Sequence, residues 1–593
     1  MKNTIKYLIY FVIISYVPFS AYSQQTENYV EDPASIEQTG IPKGELIKFQ
    51  FENSKIYPGT SREVTVYIPA QYNPKRAACV YVNQDGVQWK APIVFDNLIA
   101  KNQMPITIGV FITPGQVKAK NTDEALNRMN RSFEYDGLGD SYVKFLLDEI
   151  LPEVEKQKAS DGREIKLSKS GNDRAIGGSS SGAVCAFTAA WERPNEFSRV
   201  FSAIGTYTGL RGADRYDILV RKHEPKPIKI FLQDGSNDLN NPFGDWFKAN
   251  ESMERALVWA GYDVKHVWGE GGHNGKHGTA VFPEAMRWLW KDWPKPVAKG
   301  LSNNPFLTDI LQPNEDWELV GEGYGFTEGT AVNAAGEVFF HDIPNSKTYK
   351  IGLNKALSVH NTNSLKASGA TFNSAGTMIM ATGAWGDPPS RAVLSYDGQT
   401  TKILADSAAC NDISIAYNGN IYITQPDGRE RPGKLILIRP NGIKEVIDTG
   451  IKFPNGLCFS PDQTQLYVTE SASHWVWVFT INTDGTLSNK QKFGYLHVRD
   501  VDENAWSDGL KCDRDGRIYV TTLSGIQVMD QLGRVQAILP TPPAKGQVSN
   551  LCFGGPFFDI LYASNADKVF RRKVKVKGAN NFEKPFKPAS PRL

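Results

Sequence analysis

The chain has 593 residues, of which 41% are hydrophobic and 11% are aromatic. This length exceeds what one hydrophobic core normally holds, and the composition is that of a packed globular protein. The 66 Lys and Arg residues nearly balance the 64 Asp and Glu residues, which leaves a formal net charge of +2. Because no stretch is strongly basic, the sequence argues against a nucleic-acid partner.

The N-terminus has the features of a secretory signal peptide over residues 1–23. Lys2 and Lys6 precede a short apolar run, and residues 21–23 form a small-x-small cleavage site. The apolar run is too short to span a bilayer comfortably, so we expect no membrane span after cleavage. The sequence therefore predicts an exported protein, periplasmic or secreted, whose mature chain begins with a lead segment over residues 24–45.

Six cysteines are distributed over the whole chain. Each lies within or beside an apolar strand or helix pattern, and none has the spacing of zinc ligands. An even cysteine count in an exported protein would also suit disulfides, but this setting favours small buried side chains. The six residues are Cys79, Cys185, Cys410, Cys458, Cys512 and Cys552.

Residues 46–293 alternate short apolar strands with amphipathic helices. This alternation predicts a parallel sheet covered by helices on both faces. Residues 294–314 are rich in Pro and Asn and predict a linker. The predicted strands are 77–83, 105–112, 174–176, 228–232 and 264–268, and the predicted helices are 140–154, 181–191, 246–260 and 279–290.

Residues 315–578 repeat one unit six times: a polar residue, a small residue, an apolar strand, a turn and a second apolar strand. A period of about 40 to 50 residues is typical of four-stranded propeller blades. The sequence thus predicts a six-bladed β-propeller, followed by a disordered tail over residues 579–593. The repeats begin at Glu328, Ser368, Asn411, Asn455, Asp508 and Asn550.

In the first half, Gly178-Ser179-Ser180-Ser181-Gly182 matches the pattern G-x-S-x-G. Its glycines permit a sharp turn from a strand into a helix, which exposes the hydroxyl of Ser180 as a nucleophile. An oxyanion hole needs two backbone N–H groups. We assign one to Ser181 and predict the other at Val87, in the loop after an early strand.

A serine nucleophile also needs a base and a group that orients the base. His273 follows the last predicted strand in a glycine-rich turn, and His277 is the alternative. Asp238 follows the strand before it, and Asp234 is the alternative carboxylate. The chain order Ser180, Asp238, His273 is that of the α/β-hydrolase fold.

The elbow, the segment Arg131-Ser132-Phe133-Glu134-Tyr135-Asp136 and the Gly-Gly-His loop resemble the esterase family that contains enterochelin, feruloyl and acetyl-xylan esterases. The resemblance covers about residues 46–293. It implies an α/β-hydrolase domain that cleaves carboxylic esters of saccharides or siderophores without a cofactor.

In a propeller, equivalent positions of the blades converge on the central channel. Glu328, Asn411, Asn455 and Asp508 would then meet at one end of the channel. Two carboxylates and two amide oxygens suit a hard divalent cation. Ca²⁺ is the first choice, and Mg²⁺, Mn²⁺ or Zn²⁺ are alternatives. Asn and Asp also form turns, which is the competing explanation for any one of them.

These motifs resemble the regucalcin and gluconolactonase family over about residues 317–577. The resemblance implies that Glu328, Asn455 and Asp508 bind the metal, that Asn411 contacts substrate or water, and that Asp508 also acts as general base. It implies lactone hydrolysis, although Ala408 and Ala409 stand where several members carry a polar substrate contact.

Together the two halves predict a bifunctional hydrolase whose substrates are saccharide esters and sugar lactones. The alternatives are an esterase whose propeller only binds a saccharide or a partner, and a siderophore esterase.

Overall fold

A computed structural model describes residues 27–383, 391–429, 431–499 and 502–591. The predicted signal peptide, residues 1–23, lies outside the described residues. Two folded regions follow one another along the chain. None of the described helices combines the length and the apolar character needed to cross a bilayer.

The first region is built on an eight-stranded sheet with the order β1-β2-β4-β3-β7-β8-β9-β12. β1 and β2 run antiparallel to their neighbours, and all later neighbours are parallel. The strands of this region are β1 (Glu45–Phe51), β2 (Arg62–Ile68), β3 (Cys79–Gln84), β4 (Thr107–Ile112), β5 (Gln116–Val117), β6 (Arg128–Met129), β7 (Arg174–Ser179), β8 (Arg199–Ala203), β9 (Lys229–Gly235), β10 (Asn240–Asn241), β11 (Gly244–Asp245) and β12 (Asp263–Gly269).

Helices cover both faces of this sheet, and each face has its own hydrophobic core. The central strands are therefore buried throughout, as expected of parallel strands between helical layers. A π-helical turn (Leu146–Ile150) joins α3 to α4. The helices are α1 (Ala91–Ala100), α2 (Arg131–Tyr135), α3 (Ser141–Phe145), α4 (Leu151–Lys156), α5 (Ser181–Glu192), α6 (Tyr216–Lys222), α7 (Trp246–Trp259) and α8 (Gly275–Trp290), and α9 (Pro305–Ile310) follows the sheet.

The second region consists of six four-stranded antiparallel sheets, which form a six-bladed β-propeller. The ring closes because β13, the first strand of the region, pairs with the last strand, β36. The strands are β13 (Glu318–Glu322), β14 (Thr327–Val332), β15 (Val338–Asp342), β16 (Lys347–Ile351), β17 (Leu357–Asn361), β18 (Gly369–Phe372), β19 (Met378–Ala381), β20 (Ala392–Tyr396), β21 (Thr401–Asp406), β22 (Ile413–Ile415), β23 (Ile421–Asp427), β24 (Arg431–Ile438), β25 (Lys444–Lys452), β26 (Pro454–Phe459), β27 (Gln465–Glu470), β28 (Trp475–Ile481), β29 (Leu487–Tyr495), β30 (Leu510–Cys512), β31 (Ile518–Thr522), β32 (Gly525–Met529), β33 (Val535–Leu539), β34 (Val548–Gly554), β35 (Ile560–Asn565) and β36 (Lys568–Lys573).

The glycine that follows the polar residue in four of the six repeats has a packing reason. A Cβ atom at Gly456 would lie 2.4 Å from the carbonyl oxygen of Asp508 in the next blade. A Cβ atom at Gly509 would likewise lie 2.7 Å from the side chain of Asn550. Real Cβ atoms do not approach other heavy atoms this closely, so the polar-small pattern records how tightly successive inner strands meet around the axis.

The segment 294–314 is more than the predicted linker. It contains α9, whose Leu307 and Ile310 are buried in the core of the last blades. Asn304, the N-cap of this helix, donates to the carbonyl of Arg221 at 3.1 Å and to that of Gln536 at 2.8 Å. The apolar side chains of α9 and the two hydrogen bonds therefore fasten the first region to the propeller.

The predicted disorder of residues 579–593 is wrong for the part that the structure describes, which ends at residue 591. Asn581 donates to Thr371 at 3.1 Å and to Ser414 at 2.8 Å, on two inner strands. Glu583 forms an ion pair with Arg514 at 2.8 Å. The polar and proline-rich composition concealed these anchoring contacts, because each depends on a partner far away in sequence.

All six cysteines are buried and unpaired. This confirms the prediction that they serve as small core side chains rather than as disulfide partners.

One buried ion pair joins the two regions. Arg572 on β36 donates through both guanidinium NH₂ groups to Glu224, at 2.6 and 2.9 Å. The side chain of Arg572 is 1% exposed and that of Glu224 is 9% exposed. Without Arg572 the buried Glu224 would keep only Lys299 as a cationic partner among the described residues, and its Nζ lies 3.7 Å away, so the pair with Arg572 restricts how the two regions can separate.

We therefore expect Arg572→Met to destabilise the folded chain by about 3 kcal/mol or more, measured by denaturant unfolding. Arg571→Met is the matched control, because Arg571 pairs with Glu318, whose side chain is 49% exposed, and such a pair contributes about 0–1 kcal/mol. Adding Glu224→Gln to Arg572→Met should recover part of the loss. Equal effects of the two single variants would contradict the proposed role of the buried pair.

Candidate active sites

Ser180 lies in a strained turn between β7 and α5. Its φ is 59° and its ψ is −123°, a backbone conformation that side-chain-bearing residues seldom adopt. A Cβ atom at Gly178 would lie 2.2 Å from the carbonyl oxygen of Gly182. The absence of a side chain at Gly178 therefore lets the strand and the helix cross at van der Waals distance, which is the geometry of a nucleophile elbow.

The structure brings Ser180, His273 and Asp238 together. The Nε2 atom of His273 lies 2.9 Å from the hydroxyl of Ser180, and its Nδ1 atom lies 2.6 Å from Oδ1 of Asp238. The Asp238 side chain is fully buried, whereas that of His273 is 20% exposed. A hydroxyl, an imidazole and a carboxyl group linked in this order form the arrangement that activates a serine.

Glycines also bring the loops of Asp238 and His273 into contact. β9 and β12 are parallel neighbours, so both loops leave the same edge of the sheet. A Cβ atom at Gly235 would lie 2.2 Å from the carbonyl oxygen of Gly271. Asn237 reinforces this contact by donating its backbone N–H to Gly271 at 3.2 Å. The glycine-rich turn thus serves close packing of two loops.

The two alternatives from the sequence occupy supporting positions. His277 stacks on Tyr29 with ring centroids 4.3 Å apart, and its Nδ1 lies 2.9 Å from the Gln233 side chain. Asp234 is fully buried beside Asp238. Burial, followed by the hydrogen bond and negative charge of Asp238, raises the pKa of Asp234 to about 9.

Two further side chains restrain the reacting pair. Thr206 Oγ1 lies 3.1 Å from the hydroxyl of Ser180 and accepts a hydrogen bond from the indole of Trp246 at 3.1 Å. The Trp246 ring also meets His273 edge-on, with centroids 5.9 Å apart. Sequence patterns carried no signal for either side chain, because their positions depend on how α7 packs over the loops.

The described part of the lead segment, residues 27–45, packs on the first region. The carboxylate of Glu27 accepts hydrogen bonds from the backbone N–H of Gly272 at 3.0 Å and from Asn274 at 2.8 Å. These two residues flank His273. Burial, the largest single contribution, raises the pKa of Glu27. The hydrogen bonds from Gly272 and Asn274 together with the nearby Lys276 outweigh it, so the net effect is a lowered pKa.

One of the two predicted oxyanion donors is well placed. The backbone N–H of Ser181 begins α5 and thus has no partner within the helix. The side chain of Val87 is 43% exposed, and Gln88 rather than Val87 lines the cavity at Ser180. A donor at Val87 therefore remains a prediction.

The segment that carried the esterase resemblance has a positioning role. Arg131 pairs with Asp85 through two hydrogen bonds of 2.7 and 2.8 Å and reaches the carbonyl of Ser179 at 3.3 Å. Burial raises the pKa of Asp136, and its hydrogen bonds with Ser132 and Ser181 oppose that effect. These contacts hold the loop after β3 against the elbow.

In the propeller, Glu328 and Asn455 lie near the start of their inner strands, and Asp508 lies two residues before its inner strand, β30. Asp508 hydrogen-bonds with the side chain of Asn455 and interacts electrostatically with Glu328. Asn411 lies two residues before β22, the inner strand of the third blade, and its backbone carbonyl accepts a hydrogen bond from Ser368 at 2.7 Å. No side-chain hydrogen bond from Asn411 to the other three occurs among the described residues.

Sequence reasoning did not assign Asp412, which joins this cluster. Burial raises the pKa of Asp412, and burial followed by repulsion from Glu328 and Asp412 raises that of Asp508. Burial also raises the pKa of Glu328 to about 7. The Oδ2 atom of Asp412 is buried and accepts no hydrogen bond in the described structure.

These observations test whether a cation fits. Buried carboxylates and an amide oxygen are hard ligands suited to a divalent cation, and Asp412 offers an unused oxygen. The described residues contain no group of three or more His, Cys, Asp or Glu side chains already arranged as a metal centre. The donor set fits a metal chemically, and the identity of the metal stays a prediction.

The two sites are separate. Ser180 and His273 line a cavity of about 770 Å³ formed by residues of the first region. A second cleft of about 1640 Å³ lies between the regions, and neither Ser180 nor Glu328 lines it. Each site therefore has its own surroundings, and a variant of one can be compared with the other as an internal control.

Comparisons with known proteins agree with this division. Residues 56–291 match the family described as "Putative esterase", and residues 326–567 match the family described as "SMP-30/Gluconolactonase/LRE-like region". The chain joins an esterase-family region to a gluconolactonase-like propeller.

A gluconolactonase from Zymomonas mobilis is 25% identical over 318 residues, which span 48% of this chain and 88% of the relative. Among solved structures, a gluconolactonase from Xanthomonas campestris is 21% identical with a TM-score of 0.40, covering 46% of this chain and 93% of that one. A ferulic acid esterase is 16% identical with a TM-score of 0.32, covering 42% of this chain and 98% of that one.

The glycine contact at the elbow can be tested by Gly178→Ala. We expect at least 100-fold lower activity on an aryl ester and about 1–3 kcal/mol lower stability, because the new methyl group must displace the backbone at Gly182. Activity and unfolding are measured together. Gly137→Ala is the control, since its Cβ would meet only the Phe133 carbonyl, at 3.9 Å. Full activity of Gly178→Ala would refute the steric argument.

Proposed function

We propose that this protein is an exported hydrolase with two reaction sites, a serine ester hydrolase in the first region and a metal-dependent lactonase in the propeller. The observation that carries the first assignment is the placement of His273 between Ser180 and Asp238, at 2.9 and 2.6 Å. Both regions match hydrolase-containing families, which supports the same general class.

In the proposed ester reaction, the Ser180 hydroxyl attacks the ester carbonyl while Nε2 of His273 takes its proton. The backbone N–H of Ser181 donates to the oxyanion that forms. His273 then passes the proton to the departing alcohol, which leaves the acyl group on Ser180. Water attacks this acyl group while His273 takes its proton, and His273 returns the proton to the Ser180 oxygen as the acid departs. Asp238 orients the imidazole and offsets its transient positive charge.

The proposed substrates are acyl esters of saccharides. The support is the resemblance to esterases of this kind and the open cavity at Ser180, which admits a bulky alcohol portion. A siderophore ester is the alternative substrate for the same triad. Turnover of acetyl, feruloyl and siderophore esters by the purified full chain distinguishes them.

For the propeller, we propose that Glu328, Asn455 and Asp508 hold a divalent cation, with Ca²⁺ as first choice, and that Asn411 contacts substrate or water. A cation bound there would polarise the lactone carbonyl and lower the pKa of a bound water. Asp508 would accept the proton of the attacking water. The supporting observations are the electrostatic interactions of Asp508 with Glu328 and Asp412 and the orphaned oxygen of Asp412. The alternative is a propeller that only binds a saccharide or a partner.

Ser180→Ala should lower kcat/KM for an aryl or feruloyl ester by at least 1000-fold, because it removes the attacking oxygen. Lactone hydrolysis should be unchanged, and Ser179→Ala is the neighbouring control. Assays of both reactions on each variant provide the measurement. Ester turnover that survives Ser180→Ala would overturn the elbow assignment.

Chelator treatment should abolish lactone hydrolysis and leave ester hydrolysis intact. Adding a divalent cation back should restore lactone hydrolysis. Asp508→Asn should remove lactone hydrolysis even with added metal, since it removes a charged ligand. Asp515→Asn is the control, because the side chain of Asp515 is 56% exposed. If no divalent cation supports turnover of any lactone, the propeller is a binding module.

A further inference from the structure

The two oxygens of the Asp238 carboxyl group have different surroundings. Oδ1 faces Nδ1 of His273 at 2.6 Å and accepts the backbone N–H of Leu239 at 2.5 Å. Oδ2 is buried, and no N–H group of the described residues donates to it. A buried carboxyl oxygen without a donor is costly, so a further hydrogen-bond partner is to be expected there.

Asp234 is the neighbouring group that can supply such a partner. It is fully buried at the end of β9, and its carboxyl group interacts with that of Asp238. Its own oxygens also accept hydrogen bonds, Oδ1 from the N–H of Gly235 and Oδ2 from Asn250, each at 2.7 Å. Two carboxyl groups can hydrogen-bond with each other only if one of them keeps a proton.

The surroundings decide which carboxyl group is protonated. Asn250 of α7 is neutral, and His277 of α8 contacts the backbone carbonyl of Asp234 rather than its carboxyl group. Asp238, in contrast, faces His273, whose developing positive charge favours a negative partner. Burial and the neighbouring Asp238 raise the pKa of Asp234 to about 9, which keeps its proton in place at neutral pH.

We propose that Asp234 is a positioning residue of the triad, a carboxylic acid whose O–H donates to Oδ2 of Asp238 and so holds Oδ1 toward His273. Asp234 does not touch the substrate and does not exchange protons with it during turnover. This role rests on the proposed serine ester hydrolase function.

The role predicts an alkaline loss of function. Above pH 9 the proton that joins the two carboxyl groups is removed, and two adjacent buried negative charges then repel each other. Asp238 loses its fixed orientation, so kcat for ester hydrolysis should fall while KM changes little. The alkaline loss belongs to Asp234 and should vanish when that residue cannot ionise.

The protonation of Asp234 should also affect how the stability of the folded chain depends on pH. The pKa of Asp234 is raised on folding, so the folded chain binds a proton that the unfolded chain has released between about pH 4 and pH 9. The contribution of Asp234 to stability therefore falls as pH rises through this window. Asp234→Asn removes this dependence, so its melting temperature should drop less between pH 6 and pH 9 than that of the unmodified chain.

The decisive variants are Asp234→Asn and Asp234→Ala in the full chain, assayed with methyl ferulate or a 4-nitrophenyl ester from pH 6 to pH 10. The Asn side chain retains an N–H donor for Asp238, and Asn250 keeps its acceptors at Gly205 (2.8 Å) and Trp246 (3.0 Å). We expect Asp234→Asn to keep kcat within about threefold at pH 7.5 and to lack the alkaline loss.

Asp234→Ala should lower kcat by about 10- to 100-fold at pH 7.5, with KM within about twofold, because Oδ2 of Asp238 loses its donor. Asp263→Asn is the control, since the Asp263 side chain is 55% exposed. If Asp234→Ala does not fold, the pH profile and melting curves of Asp234→Asn decide the question.

An Asp234→Asn profile that coincides with that of the unmodified chain in both activity and stability would overturn this role. The Ser180→Ala result separates that failure from failure of the proposed function. Loss of activity in Ser180→Ala together with an unchanged Asp234→Asn profile would leave the serine mechanism standing without a protonated Asp234.

Discussion

The first region depends on the close approach of backbones at the carboxyl edge of its sheet. Strand β7 and helix α5 meet at Gly178 and Gly182, and the loops after β9 and β12 meet at Gly235 and Gly271. A Cβ atom at Gly178 or at Gly235 would lie 2.2 Å from a carbonyl oxygen of the facing segment, so the segments would have to move apart. The short distances between Ser180, His273 and Asp238 therefore depend on glycine at these crossing points.

The propeller obeys the same constraint in a repeated form. A glycine follows the polar residue in most repeats, and its missing side chain is replaced by the backbone or side chain of the next blade. This packing draws polar groups toward one end of the channel, where burial makes several carboxylates hard to ionise together. Close packing of the ring and the crowding of carboxyl groups at one end of the channel are thus two consequences of one repeat.

Burial sets the chemistry in both regions. In the first region, two neighbouring carboxyl groups have different surroundings, one facing an imidazole and the other an amide, and they can divide the tasks of orienting and donating. In the propeller, carboxylates from different blades repel one another, and burial together with this repulsion raises the pKa of Asp508. The buried pair of Glu224 and Arg572 differs from both, because opposite charges from the two regions neutralise each other there.

Local patterns in the sequence determined much of this architecture. Alternating strands and helices predicted the α/β region, and six copies of one repeat predicted six blades. The G-x-S-x-G motif located Ser180. Each of these patterns can be recognised from residues that are close together in the sequence. The helix α9 and the ordered part of the tail were missed, since their apolar and polar contacts come from remote segments.

Only the tertiary structure showed which of two carboxylates and which of two histidines lie within hydrogen-bond distance in the first region. It placed Asp238 rather than Asp234 against His273, and it placed His277 in the packing around Tyr29. It also revealed Asp412, Thr206 and Trp246 beside the two sites. Spacing along a chain does not specify which side of a loop faces a partner, because that choice depends on how separate elements pack against one another.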